Sequence, residues 1–179
     1  QVRKEILTLA GVAFIALPAV SGVFADFPMD LVSGNSVVEK ISGKSFSVTS
    51  QTKPESVPGA KGKALRFDGY STYVKADVPV TTIGSQLTFS LWCAVETYPM
   101  MNVAEAQNSY ADIAGNLDEK AKSGFAFQLS SQGDLRFKCF MNGWEVVCNS
   151  PVKLQKYCWN NLVAVVNGDE KKISIYNNG

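Results

Sequence analysis

Apolar residues in this chain recur at every second position over short runs. The alternation is seen at Leu65 and Phe67, at Leu87, Phe89, Leu91, Cys93 and Val95, and at Phe125, Phe127 and Leu129. It continues at Leu135, Phe137 and Cys139, at Leu162, Ala164 and Val166, and at Ile173 with Ile175. Side chains of a strand alternate between its faces, so each run predicts a strand with one face turned into a core. Turn clusters punctuate the runs, among them Ser33-Gly34-Asn35, Pro58-Gly59-Ala60, Asp68-Gly69, Asn142-Gly143 and Asn167-Gly168-Asp169. Roughly ten to twelve strands at this spacing predict an all-β fold, an antiparallel sandwich or barrel, rather than a parallel α/β sheet. Only residues 103–107 suggest a short helical turn.

The N-terminal pattern is different. Arg3 and Lys4 precede an apolar run from Ile6 to Val20, and Ser21-Gly22-Val23-Phe24-Ala25 follows. This is the charged, apolar and small-residue sequence of a secretory leader, so residues 1–25 are expected to be a signal peptide and residues 26–179 one sandwich domain. The competing expectation is a strand or buried helix of the mature fold. A membrane anchor would need roughly 20 apolar residues, and this run is interrupted by Gly11 and Pro18. No membrane span is therefore expected, and the protein should be exported to the periplasm or the exterior. At the other end Asn177-Asn178-Gly179 has the character of a hairpin turn. Its partner strand, and the closing strands of the fold, are expected beyond Gly179.

Composition narrows the chemistry. The 179 residues are 46% apolar and 18% charged, enough for a core and too apolar for a disordered tail. Seventeen Lys and Arg against sixteen Asp and Glu give a net charge of +1, leaving no overall field to hold a nucleic-acid backbone. Histidine is absent, which excludes histidine-centred triads and histidine-ligated metals. Four cysteines in an exported chain permit up to two bridges. Cys139 and Cys148 flank the Asn142-Gly143 turn on one face of the expected hairpin, where they would either bridge or remain buried thiols. Cys93 reads as a small core residue, and Cys158 lies just before a strand.

The segment Gly62-Lys63-Ala64-Leu65-Arg66-Phe67-Asp68-Gly69-Tyr70-Ser71-Thr72-Tyr73-Val74 resembles the opening signature of concanavalin A-like, laminin G-like jelly rolls. Leu87 to Val95 resembles that family's tryptophan-bearing strand. Trp159 to Val166 resembles a second characteristic strand, and Ile173 to Gly179 a closing hairpin. The resemblance implies an antiparallel two-sheet jelly-roll sandwich. Pro28-Met29-Asp30-Leu31, Glu96 to Met101 and Gly124 to Ser130 further resemble the N-terminal sandwich of exported Bacteroidetes enzymes of glycoside hydrolase family 32. That likeness implies a C-terminal catalytic domain in the same polypeptide, with levan or inulin as the polysaccharide or oligosaccharide partner. It carries no catalytic residue onto this chain, because the family's Asn-Asp-Pro-type motif does not occur.

Nor does the sandwich carry its own catalytic pattern. Glucanases of this fold place Glu-x-Asp-x-x-Glu on one strand so that two carboxylates flank the scissile bond, and that spacing is absent here. Asp112, Asp118 and Glu119 surround Ala114-Gly115-Asn116 in what reads as a loop of solvated charges. Asp112, Asn116 and Asp118 would offer oxygens to a structural calcium, the one cofactor considered, although EF-hand spacing is missing. Gly59-Ala60-Lys61-Gly62-Lys63 superficially resembles a phosphate loop, but its glycines are too close and no Ser or Thr follows Lys63. Sugars stack on flat aromatics and hydrogen-bond to amide and charged side chains. Trp144, on a polar hairpin tip with Asn142 and with Arg136 near in sequence, is the leading candidate for sugar binding. Trp92 follows, on the face opposite Leu91 and Cys93. Tyr98, Tyr110, Tyr70 and Tyr73 are weaker, and Trp159 reads as core. The expected function is a non-catalytic carbohydrate-binding accessory module, with a free-standing lectin-like or adhesive module as the alternative.

Overall fold

A computed structural model describes residues 7–16, 22–31, 34–77, 86–100 and 110–179. The strands in chain order are β1 (Leu7–Ala16), β2 (Gly22–Phe27), β3 (Ser36–Val38), β4 (Ser45–Thr49), β5 (Glu55–Pro58), β6 (Lys63–Phe67) and β7 (Tyr73–Val74). They continue as β8 (Gln86–Val95), β9 (Tyr110–Gly115), β10 (Phe125–Ser130), β11 (Asp134–Met141), β12 (Trp144–Lys153), β13 (Asn160–Asn167) and β14 (Lys172–Asn177). No helix occurs among the described residues, so none there is long and apolar enough to cross a membrane. The short turn expected at residues 103–107 falls outside the described residues.

Every predicted strand forms, and all pairings between the named strands are antiparallel. One sheet of seven strands has the order β14-β13-β8-β1-β6-β5, with β2 also paired to β1. A second has the order β12-β11-β10-β9, and a third joins β3, β4 and β7. The alternation works as expected: Leu87, Phe89, Leu91, Cys93 and Val95 of β8 are all buried, and the residues between them are not. Phe89 projects between the two large sheets, its ring 5.1 Å from that of Phe125, 5.6 Å from Phe127 and 6.3 Å from Phe137. Edge-on and offset rings at these separations add to the burial of their area. Leu65, Leu135, Leu154, Leu162 and Ala164 complete the apolar core.

The leader-like segment lies within this frame. Residues 7–16 form β1, lying between β8 on one side and, in succession, β6 and β2 on the other. Leu7 is opposite Val95, Leu9 opposite Cys93, Val12 opposite Leu91 and Phe14 opposite Phe89, with a register shift between Leu9 and Val12.

Two carboxylates fix the turns. Asp68 follows β6, and its carboxylate accepts from the backbone N–H of Tyr70, Ser71 and Thr72 and from the Ser71 hydroxyl. Burial pushes its pKa upward, but these bonds outweigh it and hold the group well below the usual range. Glu39, only 2% exposed, accepts from the N–H of Asp26, Ile41 and Ser42. Burial again opposes ionisation, and the bonds from Ser42, Asp26 and Ile41 prevail, holding Glu39 at about 2. A folded pKa below the unfolded value of 4.5 stabilises the protein above that value, and this contribution disappears as pH falls toward about 2. Glu39→Gln should therefore lower stability by roughly 1–3 kcal/mol at neutral pH, the cost of orphaned buried donors. Chemical denaturation at pH 7 and pH 3 should show the difference between wild type and variant shrinking in acid.

Candidate functional site: the outward faces of the two large sheets

With one side of each sheet packed inward, the other side carries the remaining chemistry, and on the four-stranded sheet it is largely closed along β10, whose six residues are all buried, while Arg136 is half-buried and Asp112 exposed. On the four-stranded sheet the outward residues of β10 and β11 are unusually polar. Gln128 sits opposite Asp112 of β9 and Arg136 of β11, and Arg136 sits opposite Asn149 of β12. Gln128 is 5% exposed, and both ends of its amide are used: Nε2 donates to Asp112 Oδ1 at 2.7 Å, while Oε1 accepts from Arg136 Nε at 2.8 Å. The Arg136 guanidinium carbon lies 3.6 Å from the centre of the Tyr110 ring, close enough for strong cation–π attraction. Tyr110 thus fixes the plane of the guanidinium and Gln128 fixes its rotation. Among the described residues the terminal nitrogens of Arg136 have no hydrogen-bond partner, nor has the second oxygen of Asp112. The arrangement places oriented donors beside an ionic acceptor.

One position along β11, on the same face, Lys138 is 7% exposed. Its Nζ lies 2.7 Å from Glu119 and 2.9 Å from Glu145. Burial disfavours the ammonium, but the bonds to the two carboxylates win and raise its pKa. This clasp ties the segment after β9 and the start of β12 to β11, beside the Arg136 row.

The structure separates the residues expected to bind sugar. Trp144 is 78% exposed but lies opposite Met141, whose side of the sheet is the one carrying Leu135, Phe137 and Cys139 into the core. Arg136 is on the other side, so Trp144 and Arg136 share no surface. Asn142 and Gly143 form the intervening two-residue turn with positive φ of 53° and 78°, as hairpin turns of this length require. Trp92, 40% exposed, is on the outward face of the seven-stranded sheet opposite Asn161, across the core from the Arg136 row. Trp159 is half-buried at the start of β13 and is not among the fully buried core residues, which corrects its assignment to the core.

Asp112 is also reassigned, from loop to strand β9. Each of the suggested calcium ligands has a hydrogen-bond partner of its own: Asp112 accepts from Gln128, Asn116 Oδ1 from the Phe125 N–H, and Asp118 from the N–H of Lys120 and Ala121. Among the described residues no group of three or more His, Cys, Asp or Glu is arranged to hold a metal. The bridge considered between Cys139 and Cys148 is not formed. Cys139 faces Val146 and Cys148 faces Phe137, a two-residue diagonal offset, and all four cysteines are free thiols. Burial pushes the Cys139 thiol up to about 11 and Cys93 to about 12. Tyr98, one of the weaker candidates, donates its hydroxyl to the Leu154 carbonyl at 2.6 Å and packs over Gly133, where a Cβ would collide with its ring.

Residues 68–179, more than half of the chain, match the family model of the Concanavalin A-like lectin/glucanases superfamily. The chain belongs to this superfamily. The match spans β7 to β14 and so includes the whole four-stranded sheet, and it supports a jelly-roll sandwich with carbohydrate as its class of ligand. The concanavalin A-like chain matches no curated protein and no solved structure. Within this fold the Tyr110, Asp112, Gln128 and Arg136 group was only partly visible in sequence. Arg136 was a candidate, but its partners come from strands whose adjacency no local spacing reveals.

Lys138→Met should test the clasp. It leaves two carboxylates facing each other, yet Glu119 and Glu145 are each more than half exposed, so solvent screens them. The expected loss is about 1–2 kcal/mol, below the value for a fully buried pair, measurable as a lowered denaturation midpoint.

Proposed function

We propose that this chain is a non-catalytic carbohydrate-binding module of an exported protein, and that its sugar contacts centre on Arg136. The observation that carries this is the oriented Arg136 guanidinium, stacked on Tyr110 and anchored through Gln128, beside the open oxygen of Asp112. A vicinal diol needs such a pair: one hydroxyl accepts from the guanidinium while its neighbour donates to the carboxylate. The superfamily match supports carbohydrate as the ligand class. Glu119 and Glu145 are bound to one ammonium rather than placed across an open cleft, which favours binding over hydrolysis.

The finer reading is an accessory module of a fructan-directed glycoside hydrolase, holding levan or inulin near a catalytic domain of the same polypeptide. It is supported by the resemblances at Pro28 to Leu31, Glu96 to Met101 and Gly124 to Ser130 together with the leader-like pattern of residues 3–25. Such a module raises local substrate concentration by tethering. A free-standing lectin would use the same contacts.

Titration with inulin, levan and an unrelated neutral polysaccharide tests the reading. Arg136→Ala should weaken binding by tenfold or more, since hydrogen bonds to a charged group contribute roughly 1.5–3 kcal/mol, while the far-ultraviolet spectrum stays unchanged. Arg136→Lys should not restore it, because an ammonium lacks the planar fork and the stacking face. Undiminished affinity in a folded Arg136→Ala protein would remove this residue from the site.

A further inference from the structure

The outward face of the seven-stranded sheet has a different chemistry from the Arg136 row. In register, Trp92 of β8 lies beside Asn161 of β13, and Ser90 lies beside Val163, which lies beside Tyr176 of β14. Trp92 and Tyr176 are therefore on one face, separated by two strand spacings across and two residues along. At 4.8 Å per strand and 3.4 Å per residue this puts them about 12 Å apart. They are 40% and 48% exposed.

No outward position of β8 or β13 carries a charge; the residues are glutamine, threonine, serine, tryptophan, alanine, asparagine and valine. Charged groups of this face lie at its margins, with Lys172 of β14 opposite Asn167 and Arg66 ion-paired to Glu55 and Glu96, so the ground between Trp92 and Tyr176 carries hydroxyl, amide and apolar groups and favours an uncharged ligand. The apolar positions are also interrupted by Ser90 and Asn161, unlike the continuous apolar centre of a protein interface. Isolated rings separated by hydroxyl and amide groups match a polymer with alternating C–H faces and hydroxyl edges.

We propose that the outward face of β8, β13 and β14 is a second binding surface, a flat platform on which an extended, uncharged glycan stacks against Trp92 and Tyr176. This rests on the reading of the chain as a carbohydrate-binding module and adds to it a site on the opposite side of the sandwich. The two faces divide the work: Arg136 grips individual hydroxyls, and the platform lies against a length of chain.

The test is calorimetric titration of the full chain with inulin-type oligosaccharides, β-1,4-linked gluco-oligosaccharides and, as a charged control, polygalacturonate. Trp92→Ala and Tyr176→Ala should each weaken binding of an uncharged oligosaccharide about fivefold to tenfold, a loss in the range of single aromatic contacts. Trp92→Phe and Tyr176→Phe should retain most of it, which separates stacking from misfolding. Ligand should also shift tryptophan emission in wild type and less in Trp92→Phe. If folded Trp92→Ala and Tyr176→Ala bind as wild type while Arg136→Ala does not, the platform is wrong and the Arg136 site stands. Loss with the aromatic variants alone would establish the platform and overturn the Arg136 site. Preference for polygalacturonate, or an effect of Trp92→Ala on self-association alone by sedimentation, would overturn the platform.

Discussion

The structure depends on the packing of Phe89 against Phe125, Phe127 and Phe137. These rings hold the seven-stranded and four-stranded sheets face to face. Because strand side chains alternate strictly, fixing Phe89 inward also fixes Thr88, Ser90 and Trp92 outward, and fixing Phe137 inward turns Arg136 and Lys138 out. A slip of one residue in either strand would bury the charges and expose the rings. The core therefore determines which residues can meet a ligand.

The two outward faces differ because their polar residues are held differently. On the four-stranded sheet, Asp112, Gln128 and Arg136 form a chain of hydrogen bonds across β9, β10 and β11, and the Tyr110 ring caps it. Little reordering would be needed when a sugar arrives, which lowers the entropic cost of binding. Lys138 offsets one of the two carboxylates that hold it, so the clasp carries a net negative charge beside Arg136. The seven-stranded face has its own clasp at one margin, where Arg66 of β6 is ion-paired with Glu55 and Glu96, and offers flat rings beyond it.

How much of this was legible depended on whether the signal was local. The inward faces of β6, β8, β10, β11, β13 and β14 follow from alternation, and the antiparallel fold class follows from their number and their turns. The strand β9 was hidden because Asp112, Gly115 and Asn116 give a polar, loop-like stretch. Trp144 and Arg136 were grouped because they are close along the chain, but a two-residue hairpin turn puts Trp144 in register with Met141 and so on the other face. Tyr110 meets Arg136 only because β10 lies between β9 and β11, a fact of topology that no motif spells out. Residues 1–25 read as a leader by their charged, apolar and small-residue order, and the apolar part of that order equally suits a strand such as β1, shared between two neighbours.

The placement of Ala25 and Asp26 bears on the order of events in the life of the chain. Ala25 is 0% exposed, and the Asp26 amide donates at 2.8 Å to the buried carboxylate of Glu39. A leader peptidase acting between these residues needs an accessible, extended backbone, which the closed sandwich denies it. Any scission at this bond would therefore have to come before the sheets close, as a matter of timing rather than of affinity. A chain cut there would enter folding without β1 and without most of β2, which spans Gly22–Phe27.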